Sequence, residues 1–208
     1  MKKIKVVCYI LLYFNCGAFA QNAEELFLIT ANVHRNKSLD PFFKTITNTS
    51  VYVSFANPVI ELAKGYATKN KALILNGYVH TASLLASFVF TATAKRVIKR
   101  DRPYLKLTQL QPYQIEGDFS FPSGHTSNAF TAAGNLAFAY KKWYVVAPAY
   151  IWAASVGYSR MHLGVHYPTD VLVGAILGTA SAYICNRWQN KIFNKKVQKL
   201  LYIPTNDK

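Results

Sequence analysis

Charge is scarce in this 208-residue chain: 16% of its residues are Asp, Glu, Lys or Arg, where a soluble domain carries about 25%. Acid is scarcer still, with nine carboxylates against 24 Lys and Arg, for a net charge of +15. The three cysteines, Cys8, Cys16 and Cys185, form no CxxC pair and no Cys/His cluster at zinc spacing. Internal repeats and low-complexity tracts are absent, which excludes a solenoid or a linker-like chain. What is abundant is apolar: 51% hydrophobic and 14% aromatic residues exclude a disordered basic tail. A basic excess on an apolar chain points to an anionic partner, with nucleic acid, a membrane surface and a phosphorylated substrate all open at this level.

Met1–Ala20 has the layout of a secretory signal peptide: Lys2, Lys3 and Lys5, then apolar Val6–Phe14, then Ala18-Phe19-Ala20 as a cleavage site. The mature chain then starts near Gln21; the alternative is an uncleaved first membrane helix. Without the three lysines, 21 basic and 9 acidic residues remain, so +12 belongs to residues 21–208, read as one domain. Only Cys185 survives cleavage, which excludes an internal disulfide. Asn15 before Cys16 is unlike a lipoprotein site. An exported, apolar chain does not suit a nucleic-acid role, and that partner is rejected.

Five charge-poor segments read as helices: Thr45–Ile60, Ala72–Ala94, Gly124–Tyr140, Trp143–Ser159 and Val171–Asn186. The fold class expected is all-α, a bundle of five to six core helices. Ala72–Ala94 is long enough to cross a bilayer; the others lie near the lower limit of about 17 residues. If Ala72–Ala94 runs outward, Lys64, Lys69, Lys71, Lys141, Lys142 and the basic tail from Arg187 fall on the cytoplasmic side. Lys and Arg capping helix C-termini would give a similar pattern. The tail Trp188–Leu201 reads either as an interfacial helix or as a solvated one.

Three clusters carry chemistry. In Lys95-Arg-Val-Ile-Lys99-Arg100-Asp-Arg102-Pro103 the spacing predicts a helical stripe of Lys95, Lys99 and Arg102, ended by Pro103. Such a stripe is either a solvated basic face or an anion site. In Phe121-Pro122-Ser123-Gly124-His125, Ser123 reads as an N-cap, and the first-turn N–H groups beside His125 form an anion site. In Ser159-Arg160-x5-His166-x3-Asp170, Arg160 offers a bidentate fork for phosphate oxygens. His166 and Asp170 are four apart, so a helix beginning at Tyr167–Asp170 lets the carboxylate hold one imidazole nitrogen and leaves the other as a nucleophile. His34 and His80 lack motif context, with His80 expected inside a helix or against a polar neighbour. His162 is a candidate pocket residue one turn before His166.

Taken together, Lys95-x6-Arg102-Pro103, Pro122-Ser123-Gly124-His125 and Ser159-Arg160-x5-His166-x3-Asp170 resemble the three-part motif of the type-2 phosphatidic acid phosphatase superfamily. The resemblance implies a metal-independent phosphatase without a cofactor. His166 would attack phosphorus, Asp170 would orient it, and His125 would serve as acid and then base. Lys95, Arg102, Arg160, the Ser123 hydroxyl and the Gly124 N–H would hold the phosphate oxygens. Lys99 and Arg100 match no family position. The loop Tyr104–Phe119 would lid the site or face headgroups. The substrate class implied is a phosphorylated membrane lipid, a monoester or a pyrophosphate, in a bacterial inner membrane with the site facing the periplasm. The alternative is a soluble periplasmic acid phosphatase of broad specificity.

Overall fold

The computed structural model describes residues 23–193 and 195–200, so the expected leader lies outside the described residues. Residues 23–33 form a helix (α1), and a 3-10 turn at Lys37–Leu39 leads into α2 (Asp40–Ala67). Next come α3 (Lys71–Ile98), the single turn α4 (Pro103–Lys106), α5 (Gly124–Tyr140), α6 (Trp143–His162), α7 (Pro168–Ile192) and α8 (Lys195–Leu200). No strand occurs among the described residues. The five expected helices are present, and four of them extend beyond their charge-poor cores, because charged residues occupy the terminal turns.

Local chemistry sets the turns. Asn70 caps α3 by accepting from the N–H groups of Ala72 and Leu73. Lys69, Lys99 and Lys141 adopt left-handed φ near 50°, and Lys99 and Lys141 close the ends of α3 and α5. The Lys99 turn corrects the predicted stripe: α3 stops at Ile98, so Lys95 remains helical while Lys99 and Arg102 leave the helix in new directions.

Helix α5 packs against α2, α3, α6 and α7, and small residues let it do so. Ala129 and Ala133 meet Ala149, Ala153 and Val156 of α6. On the α7 side, a Cβ at Gly174 would stand 2.6 Å from the Ser123 carbonyl oxygen, and one at Gly178 would be 2.9 Å from the Thr131 nitrogen. The helix interior is unusually polar: Ser50, Ser54, Ser83, Ser87, Ser127, Thr131 and Asn135 are buried. They pair across helices, with Ser83 and Asn186 both donating to Asn135 Oδ1 at 3.2 and 2.7 Å. His80 lies in α3 and meets buried Glu61 of α2 at 3.4 Å, the polar neighbour expected for it.

The outside is the reverse. Phe55, Val59, Leu85, Phe88, Val89, Phe90, Ile151, Leu172 and Ile176 are all more than half exposed. Polar contacts within and an apolar belt without is the arrangement expected when lipid surrounds the bundle. Two stretches, Lys71–Lys106 and Pro168–Gln189, are long and apolar enough to cross a membrane, with mean hydropathy 1.5 and 1.3.

The α5–α7 contact yields a test. Gly178→Val places methyls against backbone that cannot yield, and overpacking of this kind costs about 1–3 kcal/mol. The variant is expected to unfold at lower temperature in detergent; an unchanged midpoint would mean that the two helices are free to separate.

Candidate active site

The alternation of helix directions brings the end of α3, the starts of α5 and α7 and the end of α6 to one end of the bundle, and all three clusters meet there. Lys95, Arg102, Gly124, His125 and His166 line a cavity of about 340 Å³. Asp170, Arg160 and Ser123 stand behind its wall, each at most 1% exposed.

Helix α7 builds the centre. Tyr167 is its N-cap and Pro168 its first residue, a position where the missing N–H costs nothing. Asp170 Oδ2 accepts the Tyr167 N–H at 2.9 Å and lies 3.4 Å from His166 Nδ1. The four-residue spacing does bring the two side chains together. With its Nδ1–H directed at Asp170, His166 turns Nε2 toward the cavity, 3.3 Å from Arg102 Nη1. Burial, together with the nearby Arg160 and Arg102 guanidiniums, pulls the imidazole down to about 4, against the raising effect of the Asp170 bond. His166 is therefore neutral at ordinary pH, with a lone pair available.

Arg102 caps α4 and is almost wholly buried. Its Nη1 also donates to the Val165 carbonyl at 2.8 Å and its Nε to the Asp118 carbonyl at 2.9 Å. Arg160 donates to Thr47 Oγ1 at 3.1 Å, while its Nε has no partner among the described residues. The loop between α4 and α5 supplies what sequence reasoning missed. Glu116 bridges the two guanidiniums, Oε2 lying 3.2 Å from Arg102 Nη2 and Oε1 on Arg160 Nη2. Asp118 bridges Lys95, at 3.0 Å, and Arg102. The loop does lie over the site, as expected, but as a pair of carboxylates seated on the cations. Burial by itself would raise both acids; the guanidiniums outweigh it and hold Glu116 at about 2, and Lys95 and Arg102 hold Asp118 below its ordinary value.

Two expectations need correction, and Arg100 has a partner that the motif does not assign. Ser123 is the N-cap residue of α5 by position, yet its side chain makes no capping bond and accepts from the Thr126 hydroxyl at 2.9 Å instead. His162 does not line the cavity. It bonds to Asp40 Oδ1 at 2.9 Å, stacks on Phe43 with centroids 4.2 Å apart, and borders a separate cavity beside Arg35. Arg100, set aside on sequence grounds, pairs with Asp170 at 2.7 Å. The only signal for it was its place two residues before Arg102.

Among the described residues, no group of three or more His, Cys, Asp or Glu is placed to hold a metal ion. A second cavity of about 400 Å³, almost wholly apolar, lies between α2 and α3 and shares Phe88 and Asn128 with the first. It is walled by Phe55, Pro58, Val59, Leu84 and Leu85.

A cavity lined by a carboxylate-backed imidazole, a second histidine and two cations, with Arg160 behind its wall, is suited to phosphoryl chemistry, and the relatives of the chain agree. The family model described as PAP2 superfamily matches residues 76–194, the stretch that contains all three clusters. The chain belongs to the PAP2 superfamily. It is 30% identical over 128 residues to an undecaprenyl-diphosphatase of Sulfolobus acidocaldarius, covering 60% of this chain and 61% of that protein. It is 40% identical over 78 residues to a lipid A 4'-phosphatase of Bacteroides thetaiotaomicron, covering 38% and 35%. The chain thus spans less than two thirds of each of these two relatives. In three dimensions it resembles the transmembrane PAP2-type phosphatidylglycerolphosphate phosphatase of Bacillus subtilis, with TM-score 0.69 and 27% identity over 90% of this chain and 97% of that one. The helical membrane-type bundle is accordingly the PAP2 fold.

Glu116 also makes stability depend on pH. Its folded value, about 2, lies below the ordinary 4.5, so its contribution is complete above pH 4.5 and is lost as pH falls toward 2. The stability difference between the wild type and Glu116→Gln is therefore expected to shrink across that window in detergent unfolding curves. A constant difference would mean that the carboxylate is not held by the guanidiniums.

Proposed function

We propose that the chain is a metal-independent phosphatase of phosphorylated membrane lipids, acting on a monoester or a terminal pyrophosphate through a phosphohistidine. The observation that carries this reading is the junction of two cavities at Phe88 and Asn128: a cationic one with His166, and an apolar one open along α2 and α3. A phosphate seated in the first leaves an acyl or prenyl chain in the second, where apolar burial favours it.

The site residues then take their roles. His166 Nε2 attacks phosphorus, and the bond from phosphorus to the lipid oxygen breaks while His125 gives that oxygen a proton. Burial and Arg160 keep His125 neutral at rest, and it takes up that proton when the anionic phosphate enters beside it. Neutral His125 next removes a proton from water; the hydroxide takes phosphorus from His166, releasing phosphate and restoring the imidazole. Asp170 fixes the tautomer throughout. Lys95, Arg102, Arg160 and the Gly124 N–H hold the oxygens on which charge develops. Ser123 accepts from Thr126, which frees its own proton for a phosphate oxygen.

In the same reading residues 21–208 form one catalytic domain, and its site faces the periplasm. The basic turns support that orientation: Lys64, Lys69, Lys71, Lys141 and Lys142 lie at the end of the bundle opposite the site, where the positive-inside rule puts the cytoplasm.

A phosphate-release panel tests the function. Purified membranes and osmotic-shock fluid are assayed with polyprenyl diphosphate, phosphatidylglycerol phosphate, phosphatidate and small soluble esters. Release from a lipid by the membranes is expected, with a loss of about 10³-fold or more in His166→Ala. Full activity in that variant, or release confined to soluble esters and shock fluid, overturns the reading. The acidic loop adds a second outcome: Glu116→Gln removes an anion that substrate must displace, and KM is expected to fall roughly 3- to 10-fold, about 1 kcal/mol. A raised KM would instead make Glu116 part of substrate binding.

A further inference from the structure

We propose that Arg100 is a positioning residue which, with Glu24, fixes the orientation and tempers the charge of Asp170, and so sets the basicity of His166. The inference rests on the phosphatase reading above and assigns a role to two residues outside the phosphate cavity.

The geometry is a relay from the back of the site. The left-handed turn at Lys99 sends Arg100 away from the α3 axis and toward the start of α7. There Nη1 donates to Asp170 Oδ1 and to Thr169 Oγ1, both at 2.7 Å, and Nη2 pairs with Glu24 Oε2 at 2.8 Å. The guanidinium carbon sits over the Tyr167 ring, 3.8 Å from its centre, which further restrains the side chain. Glu24 belongs to α1, and its Oε1 accepts the Thr169 N–H at 2.9 Å, so it grips the first turn of α7 as well. Arg100 acts on Asp170 a second way. Its carbonyl accepts the Ser120 N–H at 2.8 Å, and the Ser120 hydroxyl donates to Asp170 Oδ2.

Asp170, wholly buried, therefore has both oxygens engaged before His166 is considered. Oδ1 is held by Arg100, and Oδ2 by Ser120 and the Tyr167 N–H; the contact to His166 Nδ1, at 3.4 Å, is the longest of the set. A carboxylate neutralised by a guanidinium polarises an imidazole less than a free one does. The pairing keeps Asp170 as an orienting acceptor while limiting how strongly it draws a proton onto the nucleophile. A histidine that must attack as the neutral base needs that limit.

Other charges face the same imidazole. Lys95 comes from α3, Arg102 from the start of α4, Glu116 and Asp118 from the loop, His125 from α5 and Arg160 from α6, while Glu25 of α1 acts on Tyr167 instead. Among the described residues, the bond to Asp170 Oδ1 comes from Arg100. Substituting Arg100 or Glu24 thus changes the relay and leaves the cavity lining intact.

The test is the pH dependence of kcat/KM for phosphate release from phosphatidylglycerol phosphate in detergent micelles, with full-length protein. Arg100→Met leaves Asp170 uncompensated, so the acid limb is expected to move up by about one pH unit, with kcat reduced 10- to 100-fold and KM little changed. Glu24→Gln leaves Arg100 wholly to Asp170, and its acid limb is expected to move the opposite way. Arg100→Lys restores one charge and brings the limb back toward the wild type. An acid limb that stays in place in both Arg100→Met and Glu24→Gln reduces the relay to structural support and overturns the proposal. A raised KM at unchanged kcat would make Arg100 a substrate contact and overturns it equally. If Arg100→Met fails to fold, the direction of the limb in Glu24→Gln decides between relay and support. His166→Ala separates the two levels: if it is inactive while the limbs stay fixed, only the relay falls, and if it retains activity the phosphatase mechanism falls with it.

Discussion

The carboxylate of Asp170 is the contact on which the working end of the bundle depends. Through Tyr167 N–H it closes the first turn of α7, and that turn determines where His166 leaves the chain. Its backbone carbonyl accepts the Ser123 N–H at 3.0 Å, which ties the start of α5 to the start of α7. Through Arg100 it reaches the end of α3 and, by way of Glu24, α1. Four separated stretches of sequence are thus tied, directly or by way of Arg100, to one buried residue. An unpartnered charge at that depth would cost several kcal/mol, so each partner is required by the others.

A second constraint runs along the bundle. Where lipid surrounds the helices, association gains little from burying apolar side chains, because the outside is equally apolar. Close backbone approach and paired polar groups take over. Gly174 and Gly178 let α7 settle on the carbonyls of α5, and the Ser87, Ser127, Thr91 cluster links α3 to α5. The two constraints meet at Gly174, whose missing side chain leaves room for the Ser123 carbonyl behind the wall of the site. Helix packing and site geometry are therefore set by the same few small residues.

Much of this was legible in the sequence, for identifiable reasons. Helices free of charge and 16 or more residues long stand out in any hydropathy reading, and Gly124–Tyr140 emerged with its bounds unchanged. The His166–Asp170 pair was legible because it is local, four residues apart on a helix start that Pro168 marks. What stayed hidden depends on directions that spacing does not encode. One left-handed residue, Lys99, separates Lys95 from the path of Arg102 and turns Arg100 toward Asp170. Helical spacing suggested a pocket role for His162, but α6 turns that face toward Asp40 and Phe43. Glu116 and Asp118 were recognisable as a lid and unrecognisable as counter-ions, since their partners lie on α3, α4 and α6.

The excess of positive charge takes on a different meaning once it is located. Lys95, Arg100, Arg102 and Arg160, at the site, are matched there by Glu24, Glu116, Asp118 and Asp170, four of the nine acidic residues in the chain. Most lysines outside the site lie in the turns at the far end of the bundle, so the net charge stands largely away from the cavity. The resting site is close to neutral, which is also what allows such a cluster of cations to stay buried. In the proposed reaction an entering phosphate replaces one anion with another. Its affinity then reports the difference between a phosphate and two tethered carboxylates, and selectivity follows: a terminal phosphate, with two charges and three free oxygens, competes with that pair better than a diester with one charge and two.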